Sequence, residues 1–399
     1  MKYNVWLSAV AIGMIVTLMQ CETSPADDVK SSLTYCVEQA HKTLVHIPHS
    51  GVMPRTVDSS KTDWRYVPVD DWTSGFWPGI LWYIYEATGD EQWKREADKY
   101  TRMLTRLSQQ PARDHDLGFQ IFSSFGNAYR LTRDSSYRQV ILRTADTLAT
   151  LYNPRAGTIL SWPGMVKEKG WPHNTIIDNM INLELLFWAS REGGNKALYN
   201  IAVRHAETTM KNHFRPDYTS YHVVLYDTLT GAKIKGITHQ GLADESTWAR
   251  GQAWAIYGFT MVYRETKDVR FLDFAQKAAD VYLKQLPEDY IPYWDFHAVN
   301  IAGAPRDASA AAITASALFE LCGYVTADKR EYYQRMADGM IHTLSSDRYQ
   351  SRKQNSSFLL HSTGHKPNGT EIDASIIYAD YYYLEALLRK QKVLQRSDV

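Results

Sequence analysis

The 399-residue chain has only three cysteines, Cys21, Cys36 and Cys322. So few cannot form a disulfide framework, and buried thiols are the default for the last two. It has no excess of either charge: Lys+Arg 44 balance Asp+Glu 44, which excludes the basic face of a nucleic-acid binder. No Gly-rich phosphate loop follows a strand, and no strand–turn–helix context surrounds a nucleophilic serine. His361 and His365 have a helix-like spacing, but Gly364 and Pro367 argue for a loop and no third ligand accompanies them. Neither a metal nor a cofactor is expected.

Long apolar runs are missing too, apart from one at the start. Lys2 and the apolar stretch from Trp6 to Met19 read as a secretory signal over residues 1–21, too short to span a bilayer comfortably. Leu18-Met19-Gln20-Cys21 resembles a loose bacterial lipobox that would make Cys21 a lipid anchor; plain cleavage and secretion is the alternative. The expected location is a bacterial periplasm or a membrane-anchored lipoprotein. Residues 22–399 carry no low-complexity linker and read as a single domain.

What is present is apolar and aromatic. Hydrophobic content of 44% against 22% charged excludes disorder. The 12 Trp, 26 Tyr and 12 Phe suit a protein that stacks on sugars, although aromatics serve cores first.

A phrase recurs along the chain: a turn with an acid or amide, an aromatic, then a helix with Ala followed by an acid. Its copies are Gly89-Asp90 with Trp93 and Ala97-Asp98, Arg133-Asp134 with Tyr137 and Ala145-Asp146, and Gly194-Asn195 with Tyr199 and Ala206-Glu207. Lys267-Asp268 with Phe271 and Ala279-Asp280, and Ala327-Asp328 with Tyr332 and Ala337-Asp338, complete it. Residues 29–46 supply a sixth such helix. Alternating with these are helices predicted near 75–88, 118–132, 177–191, 249–265, 308–324 and 374–390. Ala308 to Phe319 and Gln252 to Tyr263 contain no charge, so they must be buried all round. Six amphipathic and six buried helices in strict alternation predict an all-α (α/α)6 barrel, a toroid of six hairpins.

The inner helices of such a toroid run parallel, so their N-termini share one mouth. An acid stands at each entrance: Asp70-Asp71, Asp116, Asp178, Asp244-Glu245, Asp307 and Asp373. Capping explains Asp307 and Asp373, each followed by Ala-Ser. For Asp116 and Asp178 capping competes evenly with a carboxylate pair for proton transfer on a sugar. Arg250 opens a helix without further charge until Arg264. It pairs with Asp244 or Glu245, or anchors a substrate carboxylate. His222, His239, Gln240, Trp248 and Trp254 surround it in a polar-aromatic mix, and Trp72, Trp162 and Trp171 add flat surfaces from loops.

Four stretches carry a resemblance: Asp71-Trp-Thr-Ser-Gly-Phe-Trp-Pro-Gly, His115-Asp-Leu-Gly-Phe, Ile177-Asp-Asn-Met-Ile-Asn and Thr238-His-Gln-Gly-Leu-Ala-Asp-Glu-Ser-Thr-Trp-Ala-Arg-Gly-Gln-Ala-Trp. They are similar to the unsaturated glucuronyl hydrolases, glycoside hydrolase family 88, and the similarity runs to Tyr378-Ala-Asp-Tyr-Tyr. The resemblance implies an (α/α)6 barrel and hydration of a C4=C5 double bond on unsaturated uronyl oligosaccharides. It implies Asp178 as general acid/base, with Asp116 holding ring hydroxyls and keeping Asp178 protonated. His222 and Gln240 would contact the uronate and position water, and Arg250 and Trp254 would line the subsite. Trp72 and Trp162 would be stacking walls. Lys366, in the Ser362-Thr-Gly-His-Lys loop, would meet a sulfate on the leaving sugar or be merely solvated.

Rival expectations are an unsaturated rhamnogalacturonyl hydrolase on pectin fragments, a sugar 2-epimerase, and a non-catalytic glycan-binding lipoprotein. The epimerase would need paired histidines as acid and base. The binding protein would not need Asp116, Asp178 and Arg250 together.

Overall fold

The computed structural model describes residues 24–48 and 51–397. The expected signal segment and Cys21 lie outside the described residues. Thirteen α-helices are present among the described residues: α1 (Pro25–His46), α2 (Phe76–Thr88), α3 (Glu91–Met103), α4 (Asn127–Thr132), α5 (Ser135–Ala149), α6 (Pro163–Glu168) and α7 (Asn179–Arg191). They continue as α8 (Ala197–Asn212), α9 (Ala249–Thr266), α10 (Val269–Lys284), α11 (Ala308–Leu321), α12 (Ala327–Leu344) and α13 (Ile377–Ser397). A π-helical stretch, Gly118–Gly126, runs directly into α4.

The recurring phrase has a physical basis. Helices α2, α4 and α9 end on a left-handed residue, Gly89 (φ 68°), Arg133 (φ 59°) and Lys267 (φ 58°). The next residue, Asp90, Asp134 or Asp268, accepts a backbone N–H from the first turn of the following helix. One residue reverses the chain and the next caps it. The alanine of each copy, Ala97, Ala145, Ala206, Ala279 and Ala337, is fully buried. A methyl group there lets the outer helix approach its inner partner closely.

Contacts close the ring. The inner set runs α2, the π-helix with α4, α7, α9, α11, α13 and back to α2. Each inner helix packs on an outer one: α3 on α2, α5 on the π-helix, α8 on α7, α10 on α9, α12 on α11 and α1 on α13. The expected (α/α)6 barrel is what forms, and Cys36 and Cys322 are both buried free thiols.

The two ends of the barrel differ. Inner-to-outer turns are as short as two residues, whereas outer-to-inner connections are long and hold every strand among the described residues. Strands β1 (Val52–Val57), β2 (Arg65–Pro68) and β8 (Ser375–Ile376) form one antiparallel sheet, and β3 (Tyr152–Asn153) pairs with β4 (Thr158–Ile159). Strands β5 (His173–Ile176), β6 (Val223–Tyr226) and β7 (Lys233–Ile237) form the third. An all-helical reading misses these strands because they are two to six residues long and two of the pairings, β5 with β6 and β1 with β8, join segments distant in sequence. The last inner helix also starts later than expected, at Ile377, since Ser375 and Ile376 pair with β1.

Candidate active site

The mouth is assembled where β5 and β6 feed the inner ring. Their antiparallel register pairs Ile176 with Val223, and the Ile177 amide donates to the His222 carbonyl at 3.0 Å. This sets His222 beside Asp178, the residue that precedes α7. The loop bearing His115 and Asp116 docks alongside, with the His115 amide donating to the Ser161 carbonyl at 3.0 Å.

Neither carboxyl acts as a cap. Asp178 occupies the N-cap position of α7, yet its side chain makes no capping bond, and its Oδ2 is buried without a hydrogen-bond partner among the described residues. The π-helix after Asp116 likewise starts without a side-chain cap. The two side chains are 13% and 12% exposed, for Asp178 and Asp116 respectively, so a ligand at the mouth can touch both. Burial pushes the Asp178 carboxyl up to about 7, against the lowering effect of Arg250. Burial raises Asp116 as well, and the nearby charges of Asp114, Asp178 and Asp71 push the same way, with Arg55 opposing.

Each carboxyl faces an imidazole. His222 Nε2 lies 3.7 Å from Asp178 Oδ2, and His115 Nε2 lies 3.5 Å from Asp116 Oδ1. Burial holds both rings below the usual histidine range, so both are neutral. Backbone amides of His239 (3.2 Å) and Gln240 (3.1 Å) donate to His222 Nδ1. The proton of His222 is therefore on Nε2, the nitrogen nearer Asp178.

Arg250 is 2% exposed and pairs with Asp307 at 2.7 Å. This corrects the expected ion pair with Asp244 or Glu245: Asp244 instead accepts the Thr238 amide. Arg250 also donates to the Thr363 and Gly364 carbonyls, both at 2.6 Å, and its guanidinium lies over the Trp248 ring. Asp307 does cap α11, accepting the Ser309 amide at 3.1 Å, and so serves two functions. Asp373 does not cap. It has φ 52° and its carboxylate meets His361 Nδ1 at 2.6 Å, because strand pairing holds the preceding segment away from α13.

Three comparisons bear on this mouth. The model of glycosyl hydrolase family 88 matches residues 49–389. The chain belongs to that family. An unsaturated glucuronyl hydrolase of Formosa agariphila is 44% identical, covering 90% of each chain. An unsaturated chondroitin disaccharide hydrolase of Streptococcus agalactiae is 33% identical over 91% of this chain and 92% of its own. The crystal structure of an unsaturated glucuronyl hydrolase specific for heparin superposes with a TM-score of 0.87 at 42% identity, covering 92% of this chain and 98% of its own.

In this family 88 enzyme the other expected residues fall in two groups. Gln240 joins the centre: its amide group donates to the Gly364 carbonyl at 3.0 Å, beside Arg250. Trp254 is buried and packs on Phe119 and Tyr382, with its indole N–H turned toward Asp178. Trp162 stands between both imidazoles, 6.4 Å from His115 and 5.8 Å from His222, and stacks on Trp171. Trp72 is partly buried against Phe76, Phe119 and Tyr378. Lys366 lies apart, over the Trp294 ring at 5.3 Å, on the loop whose Gly364 carbonyl meets Arg250.

His115 has one signal in the sequence, its position next to Asp116. His365 Nε2 lies 3.3 Å from His239 Nε2 at the rim. Arg55 bridges Asp71 (2.6 Å) and Glu371 (2.7 Å), joining β1 to two mouth loops. No spacing in the chain signals either pairing.

Proposed function

We propose that this enzyme removes the 4,5-unsaturated uronate from the non-reducing end of lyase-generated oligosaccharides, most readily glycosaminoglycan disaccharides. The observation that carries the reading is Asp178: a buried, uncapped carboxyl raised to about 7, able to be an acid and then a base near neutral pH.

The steps follow from that group. Protonated Asp178 delivers its proton to C4, and positive charge develops at C5 and the ring oxygen. Water adds to C5 and its proton returns to the Asp178 carboxylate. The resulting hemiketal opens the ring and releases the remaining sugar. Asp116 holds ring hydroxyls and, as a carboxylate, keeps the proton on Asp178. His222 and Gln240 orient the uronate and the water, Arg250 supplies positive charge for its carboxylate, and Trp72 and Trp162 flank the ring. Relatives that are specific for heparin or hydrolyse unsaturated chondroitin disaccharides support a glycosaminoglycan source, with Lys366 meeting a sulfate on the leaving sugar. Export through residues 1–21 would place the enzyme where lyase products arise.

The test uses unsaturated disaccharides from chondroitin, hyaluronan, heparin and pectin. Hydration abolishes the ultraviolet absorbance of the conjugated double bond. Loss of absorbance on at least one glycosaminoglycan product is expected, and none on any substrate would sink the reading.

A further inference from the structure

The two imidazoles beside the carboxyls are oriented by different means. His222 is held by main-chain amides, whereas His115 is held by one side chain. Asn182, fully buried on α7 one turn after Asp178, has an unambiguous orientation. The Phe119 amide can only donate, so the atom it meets at 2.9 Å is the Asn182 oxygen. The other end of that amide is therefore NH2, and it lies 2.9 Å from His115 Nδ1. That nitrogen must offer its lone pair, which places the proton of the neutral ring on Nε2, 3.5 Å from Asp116 Oδ1 and beside the Asn179 side chain. The Asn182 position is tightly built: a Cβ at Gly118 would fall 2.2 Å from its oxygen.

We infer that Asn182 is a positioning residue for the reaction proposed above, fixing His115 as the Nε2–H tautomer so that Asp116 faces a donor and never a lone pair. His222 offers Asp178 the same kind of N–H from 3.7 Å. Each carboxyl thus has an imidazole nitrogen within 4 Å, and removing the N–H at His115 favours protonation of Asp116 over Asp178. The surroundings are otherwise set by Asp114, Asp71, Asp178 and Arg55 around Asp116. Around His115 stand Asn179, the Trp162 ring and, within electrostatic reach, His205. The catalytic consequence rests on the hydrolase reading; the tautomer does not.

Nitrogen-15 NMR of histidine-labelled wild-type enzyme tests the tautomer directly, with the His115 signals identified by their absence in His115→Gln. Protonated Nε2 and bare Nδ1 are expected; a proton on Nδ1 overturns the inference. Asn182→Asp keeps an acceptor for the Phe119 amide but sets a second one against Nδ1, which should then become protonated. On an unsaturated disaccharide kcat should fall about tenfold or more with KM little changed. The acid limb of kcat/KM should move upward in pH where Nε2 has lost its proton; where the spectrum shows both nitrogens protonated, the donor remains, and the limb should move downward with kcat retained. A protonated Nδ1 with unchanged kcat and unchanged limb refutes the positioning role. Wild-type enzyme inactive on every disaccharide would instead refute the hydrolase reading, while the spectrum still decides the tautomer.

Discussion

Aspartates stand at helix entrances at both ends of this barrel, and they differ in every property that matters. At the tight-turn end, Asp134 and Asp268 accept backbone amides at 2.8 and 2.9 Å and lie in reach of water. Their carboxyls are held below the ordinary range, Asp134 by the Ser136 amide first and Asp268 by Arg270 first. At the mouth, Asp116 and Asp178 make no capping bond and are raised by burial. The same residue in the same kind of sequence position is an anion that stabilises a helix in one place and, at Asp178, a proton carrier in the other. Withholding the capping amides and the solvent makes the difference.

That contrast can be attacked most directly at Asp178. Asp178→Asn should lower kcat on the preferred disaccharide by about 100-fold or more, with folding by circular dichroism unchanged. Retention of most of the rate would mean that another group delivers the proton. A wild-type pH profile comes next in size. Because the acid must be protonated and burial sets Asp178 to about 7, activity should fall as pH rises through that value. Asp116→Asn removes a neighbouring carboxylate, so Asp178 should lose its proton more readily. The alkaline limb then moves to lower pH; a limb that stays put would separate the two groups electrostatically.

At the opposite end the expected effects are smaller and of another kind. Asp134→Ala should cost about 1 kcal/mol of stability through the lost cap, read as a lowered denaturant midpoint, and leave kcat untouched. A change in kcat there would erase the distinction between the two ends. The smallest effect is expected at the rim. Lys366→Ser should raise KM for a sulfated disaccharide by a few-fold, an exposed-charge contribution of about 1 kcal/mol or less, and spare the unsulfated one. Equal effects on both would remove Lys366 from sulfate recognition.

Much of the barrel is legible along the chain because its cause is local. The uncharged run from Ala308 to Phe319 can only be an inner helix, and it is buried along its length. The Ala of each repeated phrase marks a close helix contact for the same reason. The strands at the mouth are not legible, since β5 and β6 are four-residue segments and β5 finds its partner only across α7 and α8. The partner of Arg250 is hidden from the sequence for a similar reason. Asp244 and Glu245 are near in sequence, but Asp307, from the next inner helix, occupies the buried position that a guanidinium requires.

The sequence alone determined the alternation of buried and amphipathic helices, hence the closed toroid, and it put acids at the inner entrances. Helical periodicity and capping chemistry act over a few residues, so they are written locally. Only the tertiary structure decided which acids would cap and which would remain uncapped, which imidazole nitrogen faces each carboxyl, and that Asn182 holds one of them. Those outcomes depend on desolvation and on donors brought in from distant segments, and neither exists until the six hairpins close.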